Sequence, residues 1–463
     1  MTLKSQLALL VLSLPFAVVA PAVAQPAPPV SPAVTVPPVS LILPNYNSVP
    51  VGEVAGLEGG AFVARANDSS AGFYNPAGLA RAEQSSISGS SGAYQFGSVS
   101  PEAFTNEEGT FQQIPSTFAV LVSNLGGRPN LAGGFTVTRS SAWNQTVDAE
   151  VVSSSAGGTN RLRFSTGASY DAWLASLGVG YARNDRLHVG LTLDGQYTSF
   201  ERRQSVTTQL IGATALSAAT LNSLGSVSTS HLRATVGAQF SAGRGIHVGA
   251  VLRTPGLGIT ASGEASLDGL VHVGTGTAAS AFFDPSASSR YRLPLEFKIG
   301  GAWIGTRAQA EVDVLTYAGT GQYTAAESSL PVSVVVDAGQ GGPLVVSQVP
   351  YQGPRIDSRT VVNVAVGGRY QLKEGRSWTL HGGYVTDRSP VGDDDAAFTK
   401  VNLQHMTVGL SGRTSLFLGS FGFRYSTGRS APVTLGARAD GSSYETQFKV
   451  TSIGLLYSLA LLF

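Results

Sequence analysis

Residues 444–463 read Tyr-Glu-Thr-Gln-Phe-Lys-Val-Thr-Ser-Ile-Gly-Leu-Leu-Tyr-Ser-Leu-Ala-Leu-Leu-Phe. Counting back from Phe463 in steps of two collects Leu461, Leu459, Tyr457, Leu455 and Ile453 on one side. The other side carries Leu462, Ala460, Ser458, Leu456, Gly454 and Ser452. A period of two is a strand, whose successive side chains point to opposite faces. One face is continuously apolar and the other is small and mixed, which is what a strand between lipid and a barrel lumen requires.

The other end of the chain carries an export address. Lys4 is a short basic start, Leu7 to Ala20 is apolar apart from Pro15, and Ala22-Val23-Ala24 has the small-x-small form of a cleavage site. This predicts a signal peptide over residues 1–24 and a mature chain that begins at Gln25. The apolar run falls short of the roughly 20 residues of a helical span. No other segment reaches that length without glycine or polar interruption, so membrane crossing is expected through strands; only helices and closed barrels satisfy their backbone in lipid. The 463 residues include 56 glycines and no cysteine, with 13% charged residues and a net charge of +1. A disulfide scaffold and a basic nucleic-acid binder are therefore excluded. Export and the closing strand point to the outer membrane of a Gram-negative bacterium, with lipid and lipopolysaccharide as surroundings and a monomer as the unit.

Residues 25–50 hold eight prolines, from Pro26 to Pro50, and read as a Pro-rich linker or extended arm. Residues 84–463 read as strands joined alternately by short turns and long loops. Asn184-Asp185-Arg186 separates two alternating runs, and similar turns fall at Gly126 to Asn130, Ala242 to Gly245, Gly305-Thr306, Lys373 to Gly375 and Thr414 to Ser420. Six hairpins plus a first and a last strand make an all-β transmembrane antiparallel barrel of about 14 strands, with both termini on the periplasmic side. Loops are expected over 98–112, 145–168, 204–229, 260–291, 318–357, 387–400 and 428–443.

Residues 51–83 are too small and glycine-rich to fold alone, so they must use the barrel wall as their core; they are a candidate hatch plugging the lumen. This segment resembles the N-terminal hatch of the long-chain fatty acid transporter (FadL) family, including its Asn75-Pro76-Ala77 followed by Gly78-Leu79. Leu293-Pro294 to Trp303 with Glu311-Val312-Asp313, and His381-Gly382-Gly383-Tyr384 with Ser389-Pro390-Val391, are similar to further segments of that family. The resemblance implies a 14-stranded barrel with a hatch. It also implies passive uptake of hydrophobic compounds, long-chain fatty acids first and aromatic or alkane hydrocarbons second, with lateral exit through a kink in the third strand. Gly133-Gly134 is the candidate kink, since paired glycines mark a bulge or bend; alternatively they leave room for the hatch.

Strand parity puts Glu296 and Lys298 inside, opposite Leu293, Leu295, Phe297, Ile299 and Trp303, and likewise places His231, Arg233 and Arg253 in the lumen. Arg233, Arg253 and Lys298 are candidate ligand-binding cations for a carboxylate, with Glu296, Glu311 and Asp313 as competing partners. Asp393-Asp394-Asp395 reads as a solvated loop tip or a cation site. The six histidines lack metal spacing and no nucleophile motif is present, so no metal, cofactor or catalytic residue is expected. A general diffusion porin is the rival reading, and the hatch separates the two.

Overall fold

The computed structural model describes residues 41–42, 45–47, 49 and 51–463 except 102–108, 114–115, 156–157, 212–215, 274, 338–342, 352, 373–377, 393–397 and 438–442. The expected signal peptide, most of the Pro-rich segment, the turn at Lys373 to Gly375 and Asp393-Asp394-Asp395 lie outside these residues.

The chain forms one closed antiparallel barrel of 14 strands. In order they are β1 (Ser86–Pro101), β2 in two pieces (Gly109–Gln113 and Ser116–Val122), β3 (Leu131–Ser155), β4 (Gly158–Ala182), β5 (Leu187–Ile211) and β6 (Leu216–Gly243). Four further strands are each broken in two: β7 (Ile246–Arg253, Leu257–Val273), β8 (Gly276–Asp284, Glu296–Ile304), β9 (Ala308–Tyr317, Pro331–Asp337) and β10 (Val345–Pro350, Val361–Gln371). The last four are β11 (Trp378–Asp387), β12 (Val401–Arg413), β13 (Phe417–Ser430) and β14 (Phe448–Leu462). The ring closes between first and last strands, from Ser86 opposite Leu462 to Pro101 opposite Phe448. Closure leaves no edge strand to face lipid.

Outward residues form an apolar belt. Ile453, Leu455, Tyr457, Leu459 and Leu461 of β14 are exposed, whereas Ser452, Leu456, Ser458, Ala460 and Leu462 are buried. Phe297, Ile299 and Trp303 of β8 are likewise outside, with Glu296 and Lys298 within. Leu293 departs from the parity expectation: it precedes the second piece of β8, in the break, and is buried.

The segments 145–168, 204–229 and 260–291, expected as loops, are strands for most of their length. β3 and β4 stay paired from Leu131 opposite Tyr181 to Ser155 opposite Gly158. There the apolar period ends but the backbone ladder continues, because strand pairing needs hydrogen bonds and not a lipid-facing side. The N-terminus, expected on the periplasmic side, lies outside the described residues. Phe463 lies at the end with the short turns, its N–H donating to Ser85 O at 3.0 Å. Leu41–Ile42, in contrast, pair in parallel with Phe398–Thr399, which precede the far end of β12.

Residues 51–83 sit inside the barrel, and nearly all of 51–80 are buried. The wall takes the place of a core and meets the hatch backbone with polar side chains. Asp313 accepts from Phe62 N (2.9 Å) and Val63 N (3.2 Å), Thr407 Oγ1 donates to Leu57 O (2.8 Å), and Ser420 Oγ and Ser458 Oγ donate to Glu53 O (2.6 and 3.0 Å). The anchors thus come from β9, β12, β13 and β14. On the opposite side Asn75 Nδ2 donates to Val63 O (2.8 Å) and Ala238 O of β6 (3.0 Å), while its Oδ1 caps Ala77 N (3.1 Å). A Cβ on Gly190 of β5 or Gly237 of β6 would collide with Pro76 or Asn75, so these two glycines admit the Asn-Pro corner.

A buried ion cluster fastens this assembly. Arg65 bridges Glu58, within the hatch, and Glu311 of β9, whose Oε2 lies 2.8 Å from Arg65 Nε. His381 Nδ1 of β11 is 2.6 Å from Glu58 Oε1. Burial opposes the Glu58 charge, but Arg65 first, then His381 and Arg369, hold its carboxyl down at about 2.

Replacing Arg65 by Met strands two buried carboxylates, and breaking such a pair costs about 3–5 kcal/mol. The barrel ladder is untouched. Arg65→Met is therefore expected to keep heat-modifiable gel mobility while single-channel ion conductance rises well above wild type; unchanged conductance would show that the cluster does not hold the hatch.

Candidate functional site

Above the hatch lies a cavity of about 140 Å³. Its floor is the hatch surface at Gly59, Gly60, Phe73 and Tyr74, and its walls come from β3 to β9 and β11 to β13. Part of the segment expected to be a linker also lines it. Tyr46 stacks on Tyr317 at 4.6 Å between ring centres, and Asn45 Nδ2 donates to Asp387 O (2.7 Å) and Val401 O (2.9 Å). Asn47 N donates to Asp387 Oδ1 (2.9 Å) and Asn47 Oδ1 accepts from Tyr317 OH (2.7 Å).

The three candidate ligand-binding cations, Arg233, Arg253 and Lys298, line this cavity together. Glu296 is their shared partner: its Oε1 is 2.9 Å from Arg233 Nη1, and its Oε2 is 3.3 Å from both Arg253 Nη1 and Lys298 Nζ. Register produces the arrangement. Glu296 stands opposite Arg253 across β7 and β8, Asp194 opposite Arg233 across β5 and β6, and Lys298 follows Glu296 on the same face. Arg253 Nε also lies 3.5 Å from Asp194 Oδ2, and its Nη2 donates to Phe73 O of the hatch at 3.0 Å. Arg233 Nη2 donates to Pro294 O (2.7 Å). Lys298 Nζ lies 5.7 Å from the centres of the Phe73 and Tyr317 rings. Glu311 and Asp313, the other acids considered as partners, are taken by the hatch.

No register shift falls at Gly133-Gly134. Both glycines pair regularly, with Val179 and Gly178 on one side and with Val122 and Leu121 on the other. A Cβ on Gly134 would stand 2.7 Å from Leu79 Cδ2, so that glycine makes room for the hatch. The irregularity in β3 comes later. The β3–β4 register shifts between Arg139 and Ser141, and across β2 the pairing passes from Ser116 opposite Arg139 to Gln113 opposite Trp143. Ser140 and Ser141 at this bulge line the cavity. No glycine announces it; Ser-Ser in a Thr- and Ser-rich run carries no bulge signal.

A second irregularity lies in the far wall. Among the described residues β7 and β8 share no ladder pairs between Arg253 opposite Glu296 and Ala265 opposite Asp284. A recess of about 630 Å³ occupies this break and shares Tyr291, Leu293 and Pro294 with the inner cavity.

Three solved structures are similar to this geometry over nearly their whole length. The toluene transporter TodX of P. putida matches with TM-score 0.58 and 13% identity, covering 89% of this chain and 98% of the other. A FadL homologue of Pseudomonas aeruginosa gives TM-score 0.54 and 13% identity over 92% and 99%. The toluene transporter TbuX of Ralstonia pickettii gives 0.53 and 13% over 89% and 98%. The fold is that of the FadL-type outer-membrane channels. The sequence matches no protein-family model and no curated protein sequence. Belt, closure and fold together place the chain in the outer membrane.

The hatch beneath the cavity contains a titrating group. Glu53 is buried; burial first, and then Asp68, push its carboxyl up to about 7 from the usual 4.5, against hydrogen bonds from Ser69 and Ser88. A group raised in the folded state stabilises fully below its unfolded value, and that contribution is lost as pH rises through the folded value. Hatch amides are therefore expected to exchange hydrogen faster, beyond the intrinsic pH effect, as pH rises from about 5 to 8. Glu53→Gln should remove this dependence; an equal pH response in the variant would assign it elsewhere.

Proposed function

We propose that this protein takes up small hydrophobic compounds passively across the outer membrane, without catalysis. The supporting observation is a cavity above a hatch that fills the lumen, lined at one point by the bulge in β3. The recess between β7 and β8 receives solute from outside, the cavity holds it, and the interrupted ladder at Ser140 lets it leave sideways into the bilayer. A lumen blocked by the hatch does not suit a general diffusion porin. The toluene transporters named above have the same fold, and the ring-lined walls agree with a solute of that kind. Of the two solute classes expected from sequence, cavity size favours the smaller: cavities of about 150 Å³ hold one benzene, and a long acyl chain needs the recess as well.

Deleting Ser140 removes the extra residue and lets Arg139 and Ser141 continue one register. Expected is a loss of toluene uptake of at least about tenfold, with surface expression and toluene binding retained, since closing the bulge blocks release and leaves the cavity. Normal uptake by the folded deletion variant would refute exit at this position.

A further inference from the structure

The charge around the cavity does not balance. Arg233, Arg253 and Lys298 supply three positive charges, against Glu296 and Asp194, which supply two. All five side chains are at most 8% exposed. Arg424, the remaining cation on the wall, is countered by Asp387. An unmatched buried charge is costly unless an ion of opposite sign joins it.

The unmatched capacity is at Lys298. An ammonium has three donors, and among the described residues its one oxygen partner is Glu296, at 3.3 Å. Its other close neighbours are the faces of Phe73 and Tyr317. Arg233 and Arg253, by contrast, are each fixed by carboxylate and backbone carbonyl partners. The anion must therefore reach Lys298 within a space of about 140 Å³ whose walls carry Tyr46, Phe73, Tyr74 and Tyr317. Rings of this kind receive another ring, edge-on or offset-stacked.

We infer that the cavity selects a single-ring aromatic carboxylate, with its ring among these four side chains and its carboxylate on Lys298. The inference rests on the uptake reading above and narrows it. A neutral arene fits the space and leaves the charge unmatched. A long-chain fatty acid matches the charge and exceeds the space.

The test is calorimetric titration of the purified full-length protein in detergent with benzoate, its neutral isostere benzamide, toluene and palmitate. Expected is benzoate binding about 10- to 100-fold tighter than benzamide, the range of a charge-assisted hydrogen bond, and tighter than toluene or palmitate. In Lys298→Met the preference of benzoate over benzamide should vanish. Toluene or palmitate binding ahead of benzoate, or equal binding of benzoate and benzamide, overturns the inference and leaves uptake of hydrophobic solutes standing. Absence of binding and of cellular uptake for all four overturns both. The wild-type comparison of benzoate with benzamide decides the matter even if Lys298→Met does not fold.

Discussion

In hydrocarbon no water is available to satisfy a backbone amide, so every N–H and C=O in the spanning region must find its partner within the wall. The pairing of β1 with β14 meets that requirement, since it turns a sheet with two raw edges into a ring. Much else follows. Once closed, the sheet has an outside that must be apolar and an inside that need not be, and the inside becomes the place where charge can be kept. Glu58, Arg65, Glu311, Asp313 and the cluster around Glu296 are all buried there, each held by partners that the closed wall supplies. Interruptions of the ladder matter for the same reason. Unpaired backbone cannot face lipid, so the Ser140 bulge and the β7–β8 break lie beside an internal cavity and a recess.

The hatch and the barrel are joined differently from the way strands are joined to each other. Strands share backbone ladders, whereas the hatch is held through wall side chains such as Asp313, Thr407, Ser420 and Ser458 that reach its peptide groups. The two parts can thus differ in stability without either being poorly made. The same device fixes the cavity floor, because Arg253 reaches the carbonyl of Phe73 while belonging to the charge cluster above. Binding chemistry and hatch position are mechanically linked through that one guanidinium.

The wall was largely legible from sequence, and its contents were only partly so. Period-two patterning at Ile453 to Phe463 and around Asn184-Asp185-Arg186 reports a local property, the alternation of faces, and that property survives folding unchanged. Parity likewise set Arg233, Arg253 and Lys298 inside. It could not show that they share Glu296, because that depends on the register between β7 and β8, which no local pattern encodes. The Arg65 cluster joins residues from 58 to 381 and was invisible for the same reason. At Gly133-Gly134 sequence leaves two readings open, because glycine permits both a bend and a close approach; the regular ladder and the contact with Leu79 match the second. Proline density obscured the arm: Asn45 to Asn47 carry the contacts, next to a stretch whose composition speaks only of extension.

The strands are not of one length. β3, β4 and β5 each run 25 residues and β6 runs 28, whereas β11 has 10 and β12 has 13. A tilted strand crosses the hydrocarbon in about 9–11 residues, so more than half of each long strand stands clear of the bilayer while β11 barely does. The rim is therefore lopsided, a high parapet over one half and a low sill over the other. Where the long strands stand clear of hydrocarbon, water wets both faces of the ladder, so the outward side no longer has to be apolar and the upper halves of β3–β6 can carry the serines, threonines and charges that the belt below excludes.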